Sequence, residues 1–124
     1  MGGVKDFRDL KVWQKAHQLT LSIYRTTTCF PVEEKYGLIT QLRRSAVSIA
    51  ANIAEGCGRG SDPDFGRFLQ VAMGSASELE YELLLSHELG FVDASLHQEL
   101  FQRTTEVKRM LTSLLQKLNA KADR

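Results

Sequence analysis

The stretch "NIAEGCGRGSDP", Asn52 to Pro63, decides how the chain is divided. Its three glycines resemble a phosphate-binding loop, but such loops follow a strand and carry Gly-x-Gly-x-x-Gly or Gly-Lys-Ser/Thr spacing. Here a long helical pattern precedes the glycines, and neither spacing is present. We therefore predict that Gly56 or Gly58 ends one helix in a left-handed conformation. Ser61 or Asp62 is expected to cap the next helix.

On both sides of this stretch, apolar residues recur every three or four positions, and no segment alternates as a strand does. Short connections make successive helices antiparallel neighbours, so the pattern predicts an all-α, up-down-up-down four-helix bundle. At 124 residues, the chain is expected to form one domain, 1–124. The predicted helices cover residues 9–26, 32–55, 62–89 and 93–119, with Asp9 capping the first and Gly90 ending the third. The predicted core seam of the fourth comprises Leu96, Leu100, Thr104, Val107, Leu111, Leu114 and Leu118.

Composition and motifs argue against several classes of protein. No apolar run approaches the roughly 20 residues of a membrane span, and no secretory signal is recognisable, so we expect a cytoplasmic protein with free thiols. The three histidines fit neither His-Glu-x-x-His nor Glu-x-x-His, and there is no Cys-x-x-Cys pair. We therefore predict no enzymatic activity, no cofactor and no metal site.

Two further groups of residues are weaker candidate sites, and each has a simpler interpretation. Glu78, Glu80 and Glu82 form a carboxylate cluster in sequence, but residues two apart on a helix point in different directions, so a solvated acidic face is expected. The N-terminus of the third helix, with Arg59 and Arg67 nearby, is a candidate anion site. The acidic residues Asp62 and Asp64 in its first turn oppose that interpretation.

The second predicted helix has no charged residue from Ser45 to Ala54. An exposed bundle helix normally shows a charged outer face, so this helix is expected to be contacted on more than one side. An oligomer interface, close coverage within its own bundle and a ligand site remain alternatives. The side chains assigned to oligomer contact or helix packing are Ser45, Ser48, Asn52, Glu55, Gly74 and Ser75.

The second and third helices are expected to approach closely. If the hairpin turns near Gly60, Gly74 lies opposite Ala46 and Ser75 lies opposite Ser45, so small residues face one another. The same register predicts a Glu78 ion pair with Arg43 or Arg44. Asn52 is expected to hydrogen-bond within the bundle or across a subunit contact, and Glu55 to meet Arg59 or Arg67.

Charge is distributed unevenly along the chain. Residues 1–27 carry a net charge of +3 and residues 103–124 carry +4, whereas residues 28–102 carry −6. The first and fourth helices are neighbours in an up-down bundle, so together they are expected to present a positive surface to nucleic-acid phosphates. A solubilising outer face is the alternative. The candidate nucleic-acid-binding residues are Arg8, Lys11, Lys15, Arg25, Lys108 and Arg109.

Several segments carry a family resemblance: "FRDLKVWQKAHQL" (Phe7–Leu19), "FPVEEKYGLITQLRRSAVSIAANIAEGCGR" (Phe30–Arg59), "FLQVAMGSASELEYEL" (Phe68–Leu83) and "ELG" (Glu88–Gly90). In order and spacing, they resemble the bacterial four-helix bundle family of the 23S ribosomal RNA intervening-sequence proteins. One departure is Ala50, where that family often has proline.

The resemblance implies a cytoplasmic homo-pentamer without known enzymatic activity, and it offers no catalytic residues to carry over. Related proteins are encoded inside inserts in ribosomal RNA genes. Another relative, the accessory protein of diversity-generating retroelements, is a basic pentamer that binds nucleic acid and a reverse transcriptase. The partners expected for this chain are therefore itself, RNA or DNA, and a reverse transcriptase or another protein, with no membrane. An adaptor oligomer that acts only through protein contacts is the alternative.

Overall fold

The computed structural model describes residues 6–122, so both ends of the predicted 1–124 domain lie outside the described residues. Over that range the predicted all-α bundle is confirmed, and no strand is present. Short 3-10 helices, Phe7–Asp9 and Val32–Glu34, precede the first and second long helices. The four long helices are α1, Lys11–Thr27; α2, Leu38–Cys57; α3, Asp62–Glu88; and α4, Ala94–Ala122.

Two helix starts differ from the sequence-based prediction. Asp9 does not cap α1, because it lies within the 3-10 helix that Asp6 caps, and Leu10 occupies the cap position without a side-chain hydrogen bond. The second helix starts at Leu38, later than expected. There the Leu38 N–H donates to Glu34 Oε1 at 3.1 Å, so a carboxylate from the preceding turn satisfies one free donor of the helix.

The connection between α2 and α3 is tight, and its left-handed residue is Gly60, with a φ of +83°. The prediction of Gly56 or Gly58 is wrong, since Gly56 is still helical and Gly58 is right-handed. The predicted cap is confirmed: Ser61 Oγ accepts a hydrogen bond from the Asp64 N–H at 3.3 Å. The helix break was correctly located, but the turn residue lies two to four positions later.

The connection between α3 and α4 ends the third helix at Gly90, as predicted. Gly90 has a φ of +85°, and its N–H donates to the His87 carbonyl while the Phe91 N–H donates to the Ser86 carbonyl, both at 2.9 Å. These two bonds form a Schellman motif. Asp93 then starts α4 by accepting from the Leu96 N–H at 2.8 Å.

Each helix packs against its two neighbours around one apolar core. The contact between α2 and α3 is the most extensive, and the contact between α1 and α4 is the least extensive. Fully buried side chains come from every long helix. They lie at the three- and four-residue spacing from which the sequence predicted them. They include Ala16, Leu19 and Ile23 of α1; Leu42, Ala46, Ile49 and Ile53 of α2; Leu69, Ala72, Ala76 and Leu79 of α3; and Leu100, Val107 and Leu111 of α4.

The close approach of α2 to α3 occurs at Gly56. A Cβ atom there would lie 2.7 Å from Phe68 Cβ and 3.3 Å from the Phe65 carbonyl oxygen. The expected close contact at Gly74 is wrong, because Gly74 is exposed and an added Cβ would meet no atom within 4 Å. Ser75 pairs with Ser48, which places the helices about three residues out of the predicted register.

The C-terminal part of α4 follows the predicted core seam at Leu111 and Leu118 but not at Leu114. Leu115 is buried there, while Leu114, expected in the core seam, is only half-buried. Leu114 instead lies beside α1. There it lines a groove between the first and last helices.

Candidate nucleic-acid interface

The α1–α4 face is the outer surface formed by the exposed sides of these two helices. Two polar contacts span it: Lys15 Nζ lies 3.4 Å from Glu106 Oε1, and the Arg103 guanidinium donates to Ser22 Oγ at 2.6 Å. Both groups of the Lys15–Glu106 pair are about half exposed, so this ion pair contributes little to stability.

A groove of about 360 Å³ lies at the N-terminal end of α1, where α1 and α4 diverge. Its floor is apolar and its rim is polar and cationic. We call it the α1–α4 groove. Its floor is formed by Leu10, Val12, Met110 and Leu114, and its rim by Lys11, Arg109, Ser113 and Lys117.

The rim cations are available to an external anion. Within residues 6–122, no ion pair within 4 Å involves Lys11, Arg109 or Lys117, and all three are exposed. The first turn of α1 contains no acidic residue. The positive end of the α1 dipole lies at the same end of the face, and Asp9, two residues before Lys11, offsets part of it. The groove combines an apolar surface with uncompensated positive charge.

The structure brings only some of the predicted nucleic-acid-binding residues together. Lys11 and Arg109 lie on the groove, and Lys15 lies on the same face in its pair with Glu106. Arg25 lies in the last turn of α1, about 21 Å along the helix axis from Lys11 at 1.5 Å per residue.

The two remaining predicted residues have intramolecular partners. The Arg8 guanidinium contacts Asp6 at 3.0 Å, and this hydrogen bond lowers the pKa of the Asp6 carboxyl. Lys108 points toward α3, where its Nζ lies 2.9 Å from Glu80 Oε1. Lys108 and Arg109 are adjacent in sequence and about 100° apart on the helix, and of the two only Lys108 pairs with Glu80, whereas only Arg109 lines the α1–α4 groove.

Lys117 is a rim residue that was not among the nucleic-acid-binding residues predicted from the sequence. It lies eight residues after Arg109, with Ser113 midway between them. Residues at i, i+4 and i+8 share a helix face, so this spacing was a usable signal.

The α2–α3 surface carries the residues predicted for packing or oligomer contact. Ser48 Oγ and Ser75 Oγ are 2.8 Å apart, and Asn52 Nδ2 donates to the Ser48 carbonyl at 2.8 Å. The prediction that Asn52 hydrogen-bonds within the bundle is confirmed, and so is the Glu55–Arg59 pair, at 3.6 Å. The polar side chains of this surface are therefore bonded to partners within the chain.

Arg43 takes a partner that the predicted register did not give it. Its guanidinium hydrogen-bonds Thr27 Oγ1 at 2.9 Å and lies 4.6 Å from the centre of the Tyr24 ring. The expected ion pair of Glu78 with Arg43 or Arg44 is therefore wrong. Arg43 turns toward α1, and within residues 6–122 no ion pair within 4 Å involves Glu78 or Arg44.

Glu82 contradicts the expectation of a solvated acidic face. It is about nine-tenths buried near Ser45 of α2, and its Oε1 atom has no hydrogen-bond partner. Burial is the main cause that raises the pKa of the Glu82 carboxyl, and the nearby Glu78 charge adds to it. The neighbouring Glu80 is also engaged, through Lys108.

The candidate anion site at the start of α3 is occupied by the chain's own groups. Arg67 contacts Asp64 at 3.0 Å, and Lys121 lies 3.3 Å from Asp62. Arg59 also pairs with Glu55 and lies over the Phe68 ring. The local cations are thus compensated by carboxylates, in contrast to those of the α1–α4 groove.

Within the described part of the chain, no group of three or more His, Cys, Asp or Glu side chains is arranged to hold a metal ion. His87 and His97 stack with ring centres 4.7 Å apart, and His87 Nδ1 lies 2.8 Å from the Val92 carbonyl oxygen.

Burial raises the pKa of the Cys57 thiol, with Asp6 and Asp9 adding to the effect, so this thiol is a poor nucleophile. No helix among residues 6–122 is long and apolar enough to cross a membrane.

Comparisons with known proteins agree with this architecture. A family model described as "23S rRNA-intervening sequence protein" matches residues 8–113. The fold is also similar to the crystal structure of a protein of unknown function from the S23 ribosomal protein family of Bacteroides thetaiotaomicron VPI-5482. That likeness has a TM-score of 0.79 and 27% sequence identity, and it covers 85% of this chain and 95% of the other. No curated protein matches the sequence.

Proposed function

The chain belongs to the 23S rRNA-intervening sequence protein family, and from this premise we propose that it is a non-catalytic accessory protein that binds nucleic acid through its α1–α4 face. One observation carries the proposal: three exposed cations without a carboxylate partner, Lys11, Arg109 and Lys117, surround one groove. Cations without an internal partner can release counterions from a phosphate backbone, which is the main source of sequence-independent affinity.

The ion pairs of the chain favour this face over the start of α3 and over the α3 side of α4. The cations at the start of α3 are compensated by Asp64 and Glu55, and Lys108 is compensated by Glu80. The net charge of the chain is only +1, so the proposed binding depends on local potential and not on overall charge.

A salt series tests the proposal directly. Binding of a structured RNA, followed by fluorescence anisotropy, should weaken steeply as salt rises. The logarithm of the binding constant should fall with the logarithm of the salt concentration, with a slope of about 0.7 to 0.9 for each phosphate contact. Arg109→Gln should reduce both the affinity and the slope. Lys108→Gln is the matched control, because it removes the same charge from the next residue but from the α3 side of the helix. Absence of binding at low salt would overturn the proposal.

Self-association is a second proposed property, supported by the uncharged α2 segment and by two exposed apolar side chains on α2 and α3. Val47 is 42% exposed and Val71 is 49% exposed. A homo-oligomer that buries them fits this surface, and the family resemblance suggests a pentamer. The bacterial cytoplasm is the proposed location.

Light scattering on a sizing column tests self-association. A pentamer would have about five times the 13.9 kDa mass of one chain. Val47→Glu should lower the measured mass, whereas Val32→Glu, on the 3-10 helix before α2, should not. A monomer for the unmodified chain would refute the oligomer. An oligomer without nucleic-acid affinity would favour the adaptor alternative, in which the partner is a protein such as a reverse transcriptase.

A further inference from the structure

The floor of the α1–α4 groove is apolar in a place where phosphate binding alone would not require it. Met110 and Leu114 are half-buried there, and Leu10, the cap residue of α1, lines the same groove. We infer that this groove seats one unpaired base of single-stranded nucleic acid, while the rim cations hold the phosphates on either side of it. The inference rests on the proposed function and specifies its ligand.

The size of the groove favours a single nucleotide. A volume of about 360 Å³ is near the lower end for small-molecule sites. Its α4 side runs from Arg109 to Lys117, about 12 Å of helix at 1.5 Å per residue. That length is too short to dock a partner helix of ordinary size, whose apolar stripe extends over three or four turns.

The chemistry of the groove favours an unpaired base over a duplex. A duplex presents phosphates and groove edges, and its flat base surfaces are stacked inside, so it has no group to place on an apolar floor. In single strands and loops the bases are free to splay outward and lie against protein side chains. An apolar floor between cations therefore matches a base flanked by phosphates.

The positions of the cations on the rim also favour an unpaired base as the ligand. Lys11 approaches from α1, whereas Arg109 and Lys117 approach from α4, so positive charge lies on both sides of the floor. Ser113, between the two α4 cations, adds a hydroxyl that can donate to or accept from a base edge. The expected preference among bases is weak, because a single hydroxyl reads little of the edge.

Binding of three labelled ligands to the full chain tests the inference: a short single-stranded RNA, a duplex of the same sequence, and the single strand with abasic positions. We expect the intact single strand to bind at least about fivefold more tightly than the abasic one. Met110→Gln keeps the side-chain length and charge but makes the floor polar, so it should weaken single-strand binding by about fivefold and leave duplex binding and the salt slope unchanged. Met73→Gln, the same change at a partly buried methionine of α3, is the matched control.

The outcomes separate this inference from the proposed function. Loss of binding to every ligand would overturn both. Equal binding of intact and abasic strands, with Met110→Gln indistinguishable from Met73→Gln, would overturn the base site and leave phosphate binding in place. Competition by a free nucleoside monophosphate as effective as the single strand would also overturn it, because the site would then serve a free nucleotide. The abasic comparison needs no variant, so it decides the question even if Met110→Gln fails to fold.

Discussion

Two helix pairs of this bundle lie on opposite sides of it and are built differently. Between α2 and α3, Gly56 brings the backbones together and Ser48 bonds directly to Ser75. Between α1 and α4, long side chains such as Met110 separate the helices, and a groove remains. The first pair uses its contact area for packing, whereas the second leaves apolar area and charge for a ligand.

Side-chain size accounts for the difference. Small residues let two helices interdigitate closely, and closely packed side chains gain dispersion energy that a groove forgoes. Long amphipathic side chains such as Lys11 and Arg109 cover apolar surface with their stems while their charges stay in water. We therefore expect substitutions between α2 and α3 to change stability and substitutions around the groove to change binding.

The largest effect is expected at Gly56. Gly56→Ala places a methyl group 2.7 Å from Phe68 Cβ, so it should destabilise the fold by about 2 kcal/mol through overpacking. Gly74→Ala is the matched control and should stabilise by about 1 kcal/mol, because that position is helical, exposed and open. Urea unfolding of both variants measures the difference. Equal effects of the same sign would show that α2 and α3 are not closed at Gly56.

The next effect is expected in binding at the groove. Replacing both Lys11 and Arg109 with Gln should weaken RNA binding about tenfold or more at moderate salt, because two phosphate contacts are lost. The free energy of unfolding should change by less than about 0.5 kcal/mol, since both side chains are exposed and form no ion pair among the described residues. Anisotropy and urea unfolding on the same samples check both parts. A large loss of stability would contradict the distinction between the closely packed α2–α3 pair and the more open α1–α4 pair.

A smaller, pH-dependent effect is expected at Glu82. Its pKa is raised in the folded state, so its contribution to stability is present below the pKa of an unfolded glutamate, about 4.3, and is lost as pH rises through the higher folded value. Glu82→Gln should remove this loss and be more stable than the unmodified chain at pH 8 by about 1 kcal/mol. Thermal unfolding from pH 4 to pH 8 measures it. Glu88→Gln, an exposed change on the same helix, should keep the original pH profile.

The smallest effect is expected at the ion pair across the open face. Lys15→Gln should change the free energy of unfolding by less than about 0.5 kcal/mol, because both partners are half exposed. A double-mutant cycle with Glu106→Gln isolates the pair energy from other effects. A coupling energy above about 1 kcal/mol would mean that α1 and α4 are held together more firmly than their packing indicates.

Much of the fold followed from local sequence signals. Ser61 and Gly90 mark helix boundaries through cap and turn chemistry that depends on adjacent residues alone. For the candidate binding residues, the sequence indicated only which helices carry them. Lys11 and Arg109 lie on one groove as expected, whereas Lys108 pairs with Glu80 of α3. Burial of Glu82 could have been predicted from its i,i+3 spacing to Leu79 on the core stripe of α3, but its charge made a solvated position the expected one.

The sequence by itself determined the bounds of the helices to within three residues, except for the start of α2, and it determined which residues share a face and the family to which the chain belongs. Only the tertiary structure decided which faces meet. Helical periodicity defines a stripe on one helix, but the rotation and register of two helices depend on side chains from both. A three-residue shift between α2 and α3 brings Ser48 to Ser75 and Gly56 to Phe68. In the same way, Leu115 is buried in the core while Leu114 is only half-buried and lines the groove between α1 and α4.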